Sequence, residues 1–226
     1  MSVKENIEKI REKIRMVSEL VGRDYQEITL VAVTKTVEVD KIEEAIASGV
    51  NIIGESRVQE AKEKYGKVGN KAIWHLVGHL QRNKAKDAVK IFDLIQSVDS
   101  VRLAKEIDRQ AKKIGKLQKI LIEVNVSGEE SKYGLNPEEI IPFLKEISGL
   151  PNIKVEGLMT MVPLYENPGD CRPHFRKLKE LIEEVKDENI KNVEMVYLSM
   201  GMSNDFEVAI EEGSNMVRIG RAIFVA

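Results

Sequence analysis

The sequence has only one cysteine, Cys171, among its 226 residues. A lone cysteine cannot form a disulfide within the chain, and it cannot supply the clustered thiolates of a cysteine-based zinc site. Residues 1–15 are charged and amphipathic, so they also lack the continuous apolar core of a secretory signal. These absences predict a protein of the reducing cytoplasm.

The sequence also lacks long apolar runs and an excess of charge of either sign. No apolar stretch reaches the roughly 20 residues that a membrane-spanning helix needs. Lysine and arginine number 35, aspartate and glutamate number 37, and the formal net charge is −2. A nearly neutral chain has no general electrostatic attraction for nucleic acid or for an anionic membrane. We therefore expect neither as a partner.

What the sequence does contain is a regular alternation of short apolar runs and amphipathic segments. Residues 3–21 carry apolar side chains at helical spacing, which predicts a long first helix that ends at Gly22. The predicted strands cover residues 29–33, 51–53, 72–76, 94–97, 119–126, 154–157, 194–198 and 216–219. The predicted helices between them cover residues 39–47, 58–65, 80–91, 101–113, 137–147, 172–186 and 204–211.

This alternation predicts the fold class. Strands that alternate with helices form parallel βαβ units, and eight such units with short turns fit a closed barrel better than an open sheet. We therefore predict an α/β protein with a single domain over residues 1–226. That domain is a (β/α)8 barrel of the TIM type with an additional N-terminal helix, which could fill a gap in the outer ring.

Lys35 lies at the exit of the first predicted strand, in the segment ITLVAVTKT of residues 28–36. In this type of barrel the functional face is formed where the strands run into the following helices. We expect a lysine there to be partly buried, which lowers the pKa of its amine and makes it a nucleophile toward aldehydes. The alternative is a strand that simply ends in a charged residue at the solvent boundary.

Two glycine-containing segments lie at the exits of the seventh and eighth predicted strands, SMGMS at 199–203 and RIGR at 218–221. Their glycines either allow backbone amides to approach a ligand or merely make tight turns. Loops at these two places often form the phosphate site of such barrels, and helix N-termini favour anions. A phosphate site beside the lysine predicts a pocket for a phosphorylated aldehyde, of which pyridoxal 5′-phosphate (PLP) is the common example.

Five stretches carry a resemblance to a known family. They read VAVTKT at 31–36, GESRVQE at 54–60, WHLVGHLQRNK at 74–84, GLMTM at 157–161, and the run from 198 to 224. With these stretches in this order along nearly the whole sequence, the chain resembles the pyridoxal phosphate homeostasis proteins, a family similar to the N-terminal barrel of alanine racemase. The resemblance implies a (β/α)8 barrel with PLP as an internal aldimine on Lys35.

The resemblance also implies a set of cofactor-binding residues. These are Lys35, Ser56, Ser199, Gly201, Arg218, Gly220 and Arg221. Arg218 would face the pyridine nitrogen, oppose its protonation and so make the ring a weaker electron sink; the alternative is a structural arginine. Ser56 stands where the family commonly has asparagine, and Arg221 stands where threonine is common. Ser199 and the Gly201 loop would hold the phosphate, together with the backbone at Gly220 and Arg221.

Other side chains suggest weaker hypotheses. His75 and His79 have the i, i+4 spacing of two metal ligands on a helix, but they straddle a predicted strand exit and turn, so we predict no metal site. Glu123 and Asn125 share one face of the fifth strand, where Glu123 could orient Lys35 or form a structural ion pair. The basic residues 82–86 are expected to form a solvated helix face, with an acidic partner or RNA as the alternative.

Three functions remain open at this stage. The first is a PLP carrier that serves PLP-dependent apo-enzymes, the second is an amino-acid racemase, and the third is a barrel that binds another phosphorylated metabolite without covalent chemistry. Racemisation needs an acid/base on each face of the cofactor, and in the related racemase the second one comes from another domain. The sequence ends at Ala226, directly after the predicted barrel. We therefore expect a carrier and not an enzyme. Separately, we expect the protein to be a monomer.

Overall fold

A computed structural model describes residues 2–129 and 132–225 of the chain. Its eight parallel strands close into a barrel in sequence order, and β8 pairs with β1. The strands are Thr29–Val33 (β1), Ile52–Glu55 (β2), Ile73–Leu76 (β3), Leu94–Val98 (β4), Gln118–Glu123 (β5), Ile153–Met159 (β6), Val193–Ser199 (β7) and Met216–Ile219 (β8). The predicted barrel is therefore confirmed. Met1, Glu130, Ser131 and Ala226, which belong to the predicted domain, lie outside the described residues.

Helices alternate with the strands and form the outer ring. The α-helices are Val3–Leu20 (α1), Val39–Ala47 (α2), Val58–Val68 (α3), Ala85–Ile91 (α4), Val101–Lys113 (α5), Ile140–Ile147 (α6), Arg172–Asp187 (α7), Phe206–Glu211 (α8) and Arg221–Phe224 (α9). Short 3-10 turns cover Tyr25–Glu27, Gly69–Lys71, Arg82–Lys84, Pro137–Glu139 and Pro168–Cys171. Within the described residues, no helix is long and apolar enough to cross a membrane.

The additional helix α1 completes the outer ring beside the two shortest helices. A capping box opens it, in which Glu5 N donates to Ser2 Oγ (3.2 Å) and Ser2 N donates to Glu5 Oε2 (2.9 Å). Its apolar stripe is buried, and it packs against α2, α8 and α9. Asn6 Nδ2 donates to the Ile223 carbonyl (2.9 Å), so α1 is also hydrogen-bonded to α9.

The core has two layers because each strand has two faces. A small cluster that includes Val31, Leu94 and Met159 fills the barrel interior, and a larger cluster lies between the strands and the helices. On β1, Val31 and Val33 belong to the interior layer, whereas Ala32 packs toward the helices. The interior layer therefore fills the barrel beneath the ends of the strands.

One predicted strand is shorter than the sequence pattern suggests. The apolar alternation of residues 119–126 continues past Glu123, but β5 ends there. Val124 instead bridges Leu135 of the following loop, and Asn125 N donates to the Leu135 carbonyl (2.9 Å). The returning loop passes close enough that a Cβ on Gly134 would lie 2.8 Å from Asn125 N. A local loop contact thus replaces the predicted strand pairing.

Candidate functional site

A cavity of about 510 Å³ lies at the carboxyl ends of the barrel strands. Its walls come from the segments that follow β1, β2, β3, β6, β7 and β8. Five of the predicted binding residues line it together, namely Lys35, Ser56, Arg218, Gly220 and Arg221. A larger cavity of about 570 Å³ lies at the opposite end, between α1 and the first residues of β1 and β2. We place the candidate site in the smaller cavity because it gathers the chemically useful groups.

Lys35 stands at the rim of this cavity, in the turn that follows β1. The strand ends at Val33, and Lys35 and Thr36 form a turn in which Thr36 has a φ of 60°. Lys35 is exposed. The predicted partial burial of this lysine is therefore wrong, because the turn lifts it above the interior layer of the barrel. Its amine can be reached from solvent.

Arg218 lies inside the barrel mouth and is held by two strands. Its Nη1 donates to Ser199 Oγ (2.7 Å) on β7, and its Nη2 donates to the Thr160 carbonyl (2.7 Å), just after β6. Burial lowers the pKa of Arg218 to about 10, against the opposing effects of Glu123 and Asp205. The guanidinium is therefore still a cation at neutral pH, and its orientation is fixed.

Ser199 and Gly201 have other contacts than those implied by the resemblance. Ser199 is fully buried, and its hydroxyl donates to Gln96 Oε1 (2.7 Å) while it accepts from Arg218. Gly201 has a φ of 94°, and a Cβ there would lie 2.6 Å from Ala209 Cβ, so this glycine lets the loop pack closely on α8. Neither residue is among those that line the 510 Å³ cavity.

Ser203 brings the turns after β7 and β8 together. Its Oγ accepts from Ala222 N (3.3 Å), next to the Gly220 turn that opens α9. Ser203 and Asn204 both line the cavity. The helix predicted for residues 204–211 begins later than expected, because α8 starts only after Asp205. The sequence indicated that the SMGMS and RIGR segments lie together. It did not indicate that Ser203, and not Ser199, lines the cavity, because that depends on the geometry of the turn.

The two histidines lie in different environments. His75 is buried inside the barrel, where its Nδ1 lies 3.0 Å from Gln96 Nε2, and burial lowers its pKa to about 3. His79 Nδ1 lies 3.4 Å from Asp99 Oδ2, and its ring stacks on Tyr133. No group of three His, Cys, Asp or Glu side chains suited to a metal ion occurs among residues 2–129 and 132–225.

Glu123 is a buried carboxyl near the barrel mouth. Burial raises its pKa to about 7, and the charge of Asp99 acts in the same direction while Arg218 opposes it. Its Oε2 has no hydrogen-bond partner in the part of the chain that the structure describes. Within the same residues Glu123 forms no salt bridge or hydrogen bond with Lys35, so a role in orienting Lys35 is not seen; the cation that acts on Glu123 is Arg218.

The raised pKa of Glu123 makes stability depend on pH. In the unfolded chain the carboxyl titrates near 4.5, so between pH 4.5 and about 7 the folded protein binds more protons and loses stability as the pH rises. The difference between the folded and unfolded pKa values corresponds to ~3 kcal/mol of unfolding free energy, at about 1.36 kcal/mol per pKa unit. We expect Glu123→Gln to be more stable than the wild type at pH 8 by up to that amount, and nearly equal at pH 4.5, in urea unfolding. Glu166 is exposed, so Glu166→Gln should not gain stability relative to the wild type as the pH rises. If both variants showed the same pH dependence, the raised pKa of Glu123 would be contradicted.

Comparison with known proteins identifies the family. The family of the alanine racemase N-terminal domain matches residues 6–226. A pyridoxal phosphate homeostasis protein of Aquifex aeolicus (strain VF5) is 44% identical over 225 residues, which cover 99% of this chain and 98% of that protein. The chain belongs to the pyridoxal phosphate homeostasis protein family. A homeostasis protein of Haemophilus influenzae is 36% identical over 229 residues, covering 100% of this chain and 96% of that protein.

Solved structures agree with the barrel. PipY of Synechococcus elongatus PCC7942, solved with PLP bound, superposes with a TM-score of 0.86 at 30% identity, covering 99% of this chain and all of that one. An alanine racemase of Clostridium difficile 630 matches with a TM-score of 0.75 at 18% identity, over 98% of this chain and 56% of that one. This second likeness shows the fold alone.

Ser56 occupies a tightly packed part of the cavity wall. A Cβ on Gly78 would lie 2.3 Å from the Ser56 carbonyl oxygen, so only glycine allows these two loops to touch. Gly78 is held in turn, since its carbonyl accepts from Ser97 Oγ (2.6 Å). The position of Ser56 is therefore fixed by packing.

Proposed function

We propose that this chain holds PLP as a Schiff base on Lys35 and delivers it to PLP-dependent apo-enzymes, as a carrier and not as a catalyst. The observation that carries the proposal is a single cavity that joins the Lys35 rim to the turns after β7 and β8. Its volume of about 510 Å³ lies within the range of small-molecule sites. The names of the relatives and the PLP-bound structure of PipY support the same ligand.

Lys35 supplies the amine of the proposed site. When PLP is bound, its aldehyde carbon accepts the lysine nitrogen and loses water, and addition of water or of another amine reverses the bond. Because Lys35 is exposed at the rim, water and incoming amines reach the reacting nitrogen. Such access suits a protein that must release the aldehyde.

The turns after β7 and β8 supply the proposed phosphate site. Ser203 offers a hydroxyl, and the Gly220 turn brings the backbone close to the cavity, where a Cβ would lie 3.1 Å from the Val33 carbonyl oxygen. Arg221 adds an exposed guanidinium in place of the hydroxyl common in the family. Hydrogen-bond donors and a nearby cation are suited to bind the phosphate dianion of PLP. We therefore assign the hydroxyl contact to Ser203; contacts from Ser199 and the Gly201 loop, implied by the resemblance, stay predictions.

Arg218 favours binding over amino-acid chemistry. We place the pyridine nitrogen toward its guanidinium, which is cationic and hydrogen-bonded to the Thr160 carbonyl. A cation at that position opposes protonation of the ring, so the ring withdraws electrons less strongly. We further propose that the protein works as a cytoplasmic monomer with no nucleic-acid or membrane partner.

The test is a titration of the wild-type protein with PLP. We expect an absorbance band near the visible edge that disappears on borohydride treatment, and peptide mapping should find the label on Lys35. Absence of any adduct would overturn the proposal and favour a barrel that binds another phosphorylated metabolite. The loaded protein is then incubated with L-alanine, and sustained formation of the D-isomer would overturn the carrier role in favour of a racemase.

A further inference from the structure

The two peptide groups that flank Lys35 are both tied to helix α3. On one side, the Thr34 carbonyl accepts from Lys64 Nζ (2.6 Å). On the other, Thr36 N donates to Glu60 Oε1 (2.6 Å). Glu60 and Lys64 are one helical turn apart and bonded to each other (2.6 Å). A single ion pair on α3 therefore clamps the backbone before and after the lysine.

Lys64 is a buried cation with every donor in use. Its side chain is 9% exposed, and its ammonium bonds to the Thr34 carbonyl, Glu55 Oε1 (2.8 Å) and Glu60 Oε1. Glu55 is fully buried on β2, and its Oε1 also accepts from Thr34 Oγ1 (2.6 Å). Burying so many charged groups is costly unless the geometry is well satisfied. These bonds tie both the carbonyl and the hydroxyl of Thr34 to the Lys64–Glu55 pair, while Glu55 Oε2 has no hydrogen-bond partner within the described residues.

The backbone of this turn is also strained. Thr36 has a φ of 60°, in the left-handed region that β-branched residues rarely adopt. Such a conformation persists only where the surroundings impose it, and strained residues gather at functional sites. Here the imposing contact is the Glu60 carboxylate on the Thr36 amide. Burial acts to raise the pKa of Glu60, but the bonds from Lys64 and Thr36 outweigh it and the pKa is lowered, so the acceptor stays ionised.

We propose that Glu60 and Lys64 are positioning residues for Lys35. They fix the peptide groups on both sides of it, so that the exposed amine projects from one backbone geometry toward the cavity. An exposed lysine otherwise has both backbone and side-chain freedom, and holding the backbone reduces what must be ordered when the amine reacts. This inference rests on the proposed function of Lys35 as the aldehyde-binding residue.

Glu60 allows a test that spares the buried pair of Lys64 with Glu55. Glu60→Ala removes the acceptor of the Thr36 amide, whereas Glu60→Gln keeps an oxygen with two lone pairs at the same place. Glu63→Ala is the matched control, since Glu63 is exposed on the same helix and its recorded hydrogen bond is with Gln59. Urea unfolding of all three variants checks that each is folded.

The first measurement is hydrogen exchange of the Thr36 amide in the protein without PLP. We expect exchange in Glu60→Ala to be about 10- to 100-fold faster than in the wild type, because an amide that loses its partner opens more often. Glu60→Gln and Glu63→Ala should exchange at nearly the wild-type rate. Unchanged exchange in Glu60→Ala would overturn the clamp.

The second measurement compares PLP with pyridoxine 5′-phosphate, which carries no aldehyde. We expect Glu60→Ala to weaken PLP binding about tenfold and to leave the aldehyde-free ligand unchanged, since only PLP uses the amine. Glu60→Gln should restore PLP binding to within about threefold of the wild type. Equal weakening of both ligands would indicate a merely structural role and overturn the proposal, as would wild-type affinity for both.

The two proposals fail in different ways. If borohydride reduction leaves no label on Lys35 of the wild-type protein, the proposed function fails, while Thr36 exchange still reports whether Glu60 holds the turn. If every variant forms the adduct with the same affinity and rate, the proposed function stands and the positioning role is overturned.

Discussion

Lys35→Ala abolishes the adduct that borohydride reduction makes permanent, and it weakens PLP binding by on the order of a hundredfold, or ~2.7 kcal/mol. The substitution removes the nitrogen that bonds to the aldehyde. The phosphate turns and Arg218 stay in place, because Lys35 is exposed and its side chain forms no hydrogen bond within the described part of the chain. The measurement is a fluorescence titration with PLP, followed by reduction and mass analysis of the whole protein.

Two further lysine variants separate covalent binding from charge. Lys35→Arg keeps a cation that cannot form the same bond, so we expect it to lose the adduct while retaining more affinity than Lys35→Ala. Lys41→Ala is the neighbouring control, since Lys41 is exposed and, like Lys35, lines a second cavity of about 440 Å³ beside α2. It should form the adduct normally. A labelled lysine other than Lys35 in the wild type would contradict the assignment.

Lys64→Met lowers the free energy of unfolding by about 3–5 kcal/mol, the loss typical of a buried ion pair that is deprived of one partner. The cause is Glu55, which is fully buried and would lose the ammonium that lies 2.8 Å from its Oε1. Burial already raises the pKa of Glu55, and without Lys64 its ionised form has little compensation. Urea unfolding at pH 7 measures the change.

The control for Lys64 lies on the same helix. Lys62 pairs with Asp87 at 3.7 Å, but its side chain is 58% exposed, so Lys62→Met should cost less than about 1 kcal/mol. A double variant, Lys64→Met with Glu55→Gln, should recover part of the lost stability because it removes the uncompensated charge. A Lys64→Met protein as stable as Lys62→Met would show that the buried pair contributes little.

The barrel could be predicted because its signals are local. The runs at residues 29–33 and 216–219 are mostly apolar over a strand's length, and they coincide with the observed β1 and β8. The predicted ends of helices and strands were less accurate where tertiary contacts compete with local sequence preference. The predicted helix of residues 80–91 becomes a 3-10 turn, Arg82–Lys84, followed by α4 from Ala85.

The site could be predicted in its location but less well in its contacts. Lys35 and Arg218 follow from strand exits, which the sequence pattern marks. The partner of Ser199 could not be predicted, because Gln96 comes from β4, 103 positions away in the sequence. The ion pair between Glu60 and Lys64 could be predicted in part, because the two residues have i, i+4 spacing on α3. Nothing local indicated that this pair reaches the Lys35 turn.

The pairing of β1 with β8 has a consequence for the order of events during synthesis. Thr29 and Met216 are partners in that pairing and lie 187 positions apart, from 216 minus 29. At about 5–20 residues per second, the ribosome makes β1 roughly 10–40 s before β8. During that interval Lys35 has no Arg218 and no Gly220 turn beside it. The nascent chain therefore presents an amine without the other walls of its cavity, and under the proposed function PLP binds only after the barrel has closed.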